Sequence, residues 1–160
     1  MKKVRSFRAQ DIDLIVYDFD GVMTDNKVVV FDDGREAVYC NRSDGLGVAM
    51  IREKKIPQLI LSTEANKVVK ARAKKLGIPV MNGIKDKKSV LFKYCQQRQI
   101  NLKRVLYIGN DLNDYEIMCE VGVPVAPQDA HPAIKKAAKY VIPRAGGSGV
   151  IRALYDLLKT

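Results

Sequence analysis

Short apolar runs recur along the chain with helical patterns between them. Leu14-Ile15-Val16-Tyr17, Leu59-Ile60-Leu61 and Val105-Leu106-Tyr107-Ile108 are the clearest. They place strands near 13–18, 58–62, 104–108 and 122–126, with weaker ones near 79–81 and 140–142. Helical patterns fall near 45–54, 65–76, 86–98, 113–120, 132–138 and 148–158. Strands alternating with helices build parallel βαβ units. The expected fold is therefore α/β, a Rossmann-like open parallel sheet with helices on both faces. Two features interrupt the alternation. Residues 28–40, reading VVVF, DDGRE and AVYC, predict a β-hairpin around a glycine-containing turn. Gly146-Gly147-Ser148-Gly149 predicts a flexible joint before a last short helix.

At 160 residues, with 47% apolar and 29% charged residues, the chain has the size and balance of one domain spanning 1–160. No apolar run is long enough for a bilayer, so no membrane association is expected. The N-terminal MKKVRSFRAQDID is basic but is followed by no apolar segment of the secretory kind. Cys40, Cys95 and Cys119 are odd in number and widely spaced. They predict free thiols and a cytoplasmic protein. The net charge of +10 raises nucleic acid as a partner. However, lysines such as Lys67, Lys70, Lys74 and Lys75 recur at helical spacing, as on a solvated helix face. Aromatic residues make up 7% and no Trp is present, which leaves no stacking platform. The charge fits a small anionic substrate in part, and no nucleic-acid partner is expected.

In an open α/β sheet, ligands gather beyond the carboxyl ends of the strands. Asp18 and Asp20 follow the first strand. Ser62, Thr63 and Glu64 follow the second. Gly109-Asn110-Asp111-Leu112-Asn113-Asp114 follows the third, and Asp86-Lys87-Lys88 opens a helix. Each group alone reads as a turn, a helix cap or a surface charge. Together, in order, they supply carboxylate and amide oxygens for a hard cation, and a hydroxyl and a lysine for phosphate oxygens. A carboxylate can also serve as a nucleophile. The set describes a Mg2+-dependent phosphoryl-transfer site.

DFDGVMTD, then LST, then a lysine, then GNDLND resembles the four-motif signature of the haloacid dehalogenase (HAD) superfamily, across residues 13–114. The resemblance implies Asp18 as nucleophile and Asp20 as general acid and then base. It implies Ser62 and Lys87 as ligands of the transferring phosphoryl group. Mg2+ would be held by Asp18, the backbone carbonyl of Asp20, Asn110 and Asp111. One departure stands out: the superfamily usually has Asp where this chain has Asn110. An amide oxygen can coordinate Mg2+ but brings no charge.

The spacing leaves no room for an inserted cap domain. The chain resembles the capless phosphatases of eight- and nine-carbon 2-keto-3-deoxy sugar acids, and the phosphatase-like C-terminal domain of acylneuraminate cytidylyltransferases. That resemblance implies a homotetramer assembled through the hairpin, whose VVV lies on an exposed edge. The stretch STEANKVVKARAKKLGI resembles the nine-carbon group. It implies Glu64, Arg72 and Lys75 as substrate contacts, with Arg72 meeting a carboxylate. GGSGVIR resembles the group's tail and adds Arg152. The leading expectation is a nonulosonate 9-phosphate phosphatase. The rivals are an octulosonate 8-phosphate phosphatase and an inactive oligomerising module associated with a cytidylyltransferase.

Overall fold

The computed structural model describes residues 7–159. The basic start of the chain, residues 1–6, which bears on the expectation about secretory signals, lies outside the described residues. Among the described residues, ten strands and six α-helices follow one another: β1 (Phe7–Arg8), β2 (Leu14–Tyr17), β3 (Val29–Val30), β4 (Glu36–Ala37), α1 (Arg42–Glu53), β5 (Gln58–Leu61), α2 (Lys67–Leu76), β6 (Val80–Met81), α3 (Lys87–Gln97), β7 (Val105–Ile108), α4 (Tyr115–Glu120), β8 (Val123–Pro127), α5 (Pro132–Ala137), β9 (Tyr140–Ile142), α6 (Val150–Leu157) and β10 (Leu158–Lys159).

Six strands form one sheet in the order β6-β5-β2-β7-β8-β9, and every pair is parallel. The residues of β2, β5 and β7 are all buried, which explains why their sequences are apolar without alternation except at Gln58, whose amide is hydrogen-bonded to Tyr17 Oη and Val48 O. Alternate side chains serve opposite faces. Ile15, Tyr17, Ile60, Leu106 and Ile108 pack with Val48, Ile51, Val69, Ala73, Ile151 and Leu154 from α1, α2 and α6. Leu14, Val16, Leu59, Val105 and Tyr107 pack with Leu91, Cys95, Ile117 and Ile134 from α3, α4 and α5. The result is a three-layer α/β/α sandwich, as the alternation of elements predicts.

Polar side chains start the helices where the sequence turns from apolar to polar. Asn41, Asn66 and Asp86 accept hydrogen bonds from the backbone N–H of Ser43, Val68 and Ser89, which caps α1, α2 and α3. α6 is capped from a distance. Gly149 has no side chain for the task, and Asp44 of α1 accepts from Ile151 N and Arg152 N at 2.9 and 3.1 Å. This gives a role to the Asp44-Gly45 step at the head of α1: it pins the C-terminal helix to the body.

The hairpin forms as expected, with Val29 opposite Ala37 and Val30 opposite Glu36. Val28, Val29, Val30 and Phe31 are exposed. Two features depart from the sequence reading. β1 and β10 pair in parallel, tying residues 7–8 to 158–159. Segments of two residues carry no periodicity that could announce them. The glycine-rich stretch before α6 is not a free joint. Gly147 N donates to Val22 O at 3.1 Å and Gly146 N to Asp129 Oδ1 at 2.9 Å, so the segment is bonded to the loops that follow β2 and β8. Among the described residues no helix is long and apolar enough to cross a membrane.

Candidate active site

The strand order reverses beside β2. The chain runs outward through β5 and β6, then returns to β7 on the other side. That switch is where an open sheet leaves a crevice at its carboxyl edge. The loops after β2, β5 and β7 border a cavity of about 440 Å³ lined in part by Asp18, Asp20, Thr63, Glu64, Asn110 and Asp111. Asn26, Lys27, Glu36 and Val38, from the hairpin arm, close another side.

Asp18 is 4% exposed, and its Oδ1 lies 2.7 Å from Lys87 Nζ. The same ammonium lies 2.7 Å from Asp114 Oδ1. Lys87 is the first residue of α3, and its side chain is buried between the two carboxylates. Asp114, wholly buried, also accepts from Tyr107 Oη at 2.6 Å and from Asn110 N at 2.9 Å. Gly109 makes this possible, because a Cβ there would stand 2.6 Å from the Asp114 carboxylate carbon. The sequence alone reads Asp114 only as a helix-capping acid. It does cap, through a reciprocal arrangement with Asp111, but it is also the second counter-ion of Lys87. Its position three residues after Asp111 announces the cap; the contact with Lys87 is long-range and leaves no local trace.

One ammonium between two buried carboxylates leaves an excess of negative charge. Burial first, and repulsion from Asp114 second, push the Asp18 carboxyl up to about 8, against the pull of Lys87 and the Phe19 N–H. Burial alone would push Lys87 down, but Asp18 and Asp114 outweigh it and hold its ammonium above the ordinary lysine value. A further cation beside Asp18 would relieve the excess. The oxygens at hand are the Asp18 and Asp111 carboxylates, the Asn110 amide and the Asp20 backbone. This donor set of oxygen alone suits a hard divalent cation. Among the described residues no three His, Cys, Asp or Glu side chains converge on one point, so a cation here would need the amide and the carbonyl as well.

Asp20 is less enclosed. Burial raises its carboxyl, and its Oδ1 accepts from Thr24 Oγ1 at 3.2 Å. Gly21 turns the chain here with φ +75. A Cβ on Gly21 would lie 1.9 Å from the Asn110 amide nitrogen, so a side chain here would displace that amide as well as strain the turn.

The remaining sequence-predicted residues divide. Ser62 is buried at the end of β5 and its Oγ accepts from Glu64 N at 3.1 Å, while Thr63 and Glu64 face the cavity. Arg72, Lys75 and Arg152 are not among the cavity's lining residues. Arg72 donates from Nη2 to Asn41 O at 2.9 Å and braces the head of α1. Lys75 is exposed on α2. Arg152 pairs with Asp156 at 3.4 Å and points Nη1 at the Met50 sulfur. Sequence reasoning passed over Glu36 and Asn66. Both line the cavity, and Asn66 Nδ2 donates to the Glu36 carboxylate, which fastens the hairpin to the start of α2.

Residues 51–154 match the family of haloacid dehalogenase-like hydrolases. A solved HAD-family chain from Streptomyces avermitilis superposes with a TM-score of 0.94 at 46% identity, covering 97% of this chain and 95% of that one. The 3-deoxy-D-manno-octulosonate 8-phosphate phosphatase of Yersinia pestis is 35% identical over 152 residues, 94% of this chain and 81% of its own. The phosphatase of the same name from Moraxella catarrhalis, solved with magnesium, phosphate and the KDO molecule, superposes with a TM-score of 0.89 at 28% identity. The match covers 93% of this chain and 86% of that one.

Proposed function

This chain belongs to the haloacid dehalogenase-like hydrolases and is a phosphoric monoester hydrolase, and from that premise we propose that it works as a single capless domain which dephosphorylates a 2-keto-3-deoxy sugar acid phosphate. The observation that carries the proposal is the Asp18–Lys87–Asp114 arrangement beside the cavity. A buried carboxylate held against an ammonium suits nucleophilic attack on phosphorus. An ordinary salt bridge would gain little from such burial.

In the proposed reaction an Asp18 oxygen bonds to phosphorus as the bond from phosphorus to the sugar oxygen breaks. Asp20 gives its proton to the departing oxygen. Water then attacks the phosphoryl group on Asp18, Asp20 takes back a proton, and orthophosphate leaves with Asp18 regenerated. Lys87 and Ser62 hold the phosphoryl oxygens and oppose their charge. Asp18, the Asp20 carbonyl, Asn110 and Asp111 would hold a divalent metal, with Mg2+ proposed. When bound, that metal supplies charge neutralisation and orients the phosphoryl group.

The named relatives support the eight-carbon acid as substrate. Glu64, which lines the cavity, keeps the nine-carbon acid in contention, because it is the residue that resembles that group. The exposed Val28–Phe31 edge of the hairpin supports a homotetramer, and the three free cysteines support a cytoplasmic setting.

The test is phosphate release from octulosonate 8-phosphate, nonulosonate 9-phosphate and glucose 6-phosphate, with Mg2+ or with chelator. The expected result is Mg2+-dependent turnover of one sugar acid phosphate at least tenfold above glucose 6-phosphate, abolished by Asp18→Asn. Equal turnover of all three, or an Asp18→Asn variant as active as the parent, would sink the proposal.

A further inference from the structure

Thr24 is wholly buried in a loop whose neighbours carry the chemistry. A hydroxyl has one proton to give and two lone pairs with which to accept. Here both lone pairs are taken by backbone: Gly21 N donates to Thr24 Oγ1 at 3.2 Å and Asn26 N at 3.1 Å. The proton then has one destination, Asp20 Oδ1 at 3.2 Å. No other hydrogen bond reaches the Asp20 carboxylate among the described residues, so its second oxygen stays free.

The Thr24 backbone is fixed from two further sides. It forms an antiparallel bridge with Cys40 at the base of the hairpin. The Gly146-Gly147 step lies across it so closely that a Cβ on Gly146 would stand 2.8 Å from Thr24 O, and one on Gly147 2.7 Å from Thr24 C. The hairpin, the glycine segment and the loop after β2 therefore converge on the Thr24 backbone, and the hydroxyl of that residue donates to Asp20.

We propose that Thr24 is the positioning residue for Asp20: it holds Oδ1 and so leaves Oδ2 to face the leaving oxygen of the substrate. The proposal rests on the reading of Asp20 as general acid. As the phosphorus–oxygen bond breaks and the bond to Asp18 forms, the electron pair left on the sugar oxygen takes the proton from Oδ2, and Asp20 keeps its hydrogen bond to Thr24 throughout. The glycine segment acts as the wall behind this arrangement.

The experiment compares kcat/KM for an alkyl and an aryl ester, octulosonate 8-phosphate and p-nitrophenyl phosphate, in Thr24→Val, Thr24→Ser and Asp20→Asn. An alkoxide needs a proton to leave and p-nitrophenolate does not, so the ratio of the two values isolates the acid. The ratio also cancels the folded fraction, because both substrates meet the same preparation. Thr24→Val is expected to lower the alkyl value about tenfold or more and the aryl value less than about threefold, with Thr24→Ser restoring the ratio. If Asp20→Asn shows the split and Thr24→Val lowers both substrates equally, the positioning role is overturned. If Asp20→Asn itself shows no split, the general-acid reading falls and the role of Thr24 falls with it.

Discussion

Asp18 and Asp114 share one ammonium: Lys87 Nζ lies 2.7 Å from an oxygen of each, although the two carboxylates follow different strands of the sheet. Removing the shared cation leaves two buried acids facing each other. Lys87→Met is expected to destabilise the fold by about 3–5 kcal/mol at pH 8, measured by urea unfolding. Turnover should fall by about a thousandfold or more, because the charge neutralisation proposed for Lys87 at the phosphoryl group would be lost as well. Asp114→Asn should cost less stability, since the amide oxygen can still accept from Lys87, while leaving that ammonium less constrained. A Lys87→Met variant that is both stable and active would show that the trio carries neither the fold nor the chemistry.

The same excess of negative charge fixes a pH dependence. Asp18 is raised in the folded state to about 8, above its ordinary value of 3.8, so the native protein holds a proton that the unfolded chain has released. A group of this kind lowers stability as pH rises through the window from about 4 to about 8, and its effect is complete above that window. The raised Asp20 and Asp44 act in the same direction. In chelator, the melting temperature is therefore expected to decline from pH 5 to pH 8. A divalent cation competes with the Asp18 proton, so adding Mg2+ should raise the melting temperature more at pH 8 than at pH 5. Equal Mg2+ stabilisation at both pH values would argue that the cation does not sit beside Asp18.

Gly21 gives a sharper test of how the loops meet. With φ +75 and a Cβ position 1.9 Å from the Asn110 amide nitrogen, Gly21→Ala carries backbone strain and a clash together. The expected loss is about 1–3 kcal/mol, with a larger loss of activity because Asn110 must move. Combining Gly21→Ala with Asn110→Ala removes the clash. The double variant should regain part of the stability but none of the activity, a coupling that denaturation and phosphate release read separately.

The sequence made the layers legible because buried parallel strands are largely apolar runs and α1, α2, α3 and α5 each open on a capping side chain. LIVY, QLIL and VLYI each became a central strand. Asp18, Asp20, Asn110 and Asp111 line one cavity for the same reason: each follows a strand, and a parallel sheet aligns its carboxyl ends. What could not be read depends on contacts across the chain. Asp44 caps a helix more than a hundred residues away. Gly146 and Gly147 look like a joint until their fit against Thr24 is seen. Arg72 shows the converse. Its spacing from Lys75 puts both on one face of α2, but which cavity that face borders is decided by tertiary packing, and its guanidinium meets the Asn41 carbonyl.

Asn110 stands where the superfamily usually has Asp, and its amide fills the space above Gly21 beside Asp111. Asn110→Asp changes charge with almost no change in shape. One more carboxylate next to Asp18 and Asp111 should tighten a divalent cation about tenfold, measured by calorimetric titration with Mg2+. The same carboxylate adds repulsion when the metal is absent, so the chelated variant should melt below the parent and the Mg2+-loaded variant at or above it. These opposite signs separate a metal ligand from a packing residue, which would shift both states alike. Turnover at saturating Mg2+ is expected to change little, because in the proposed site the amide oxygen would complete the donor set and the substitution would act on how readily that set fills.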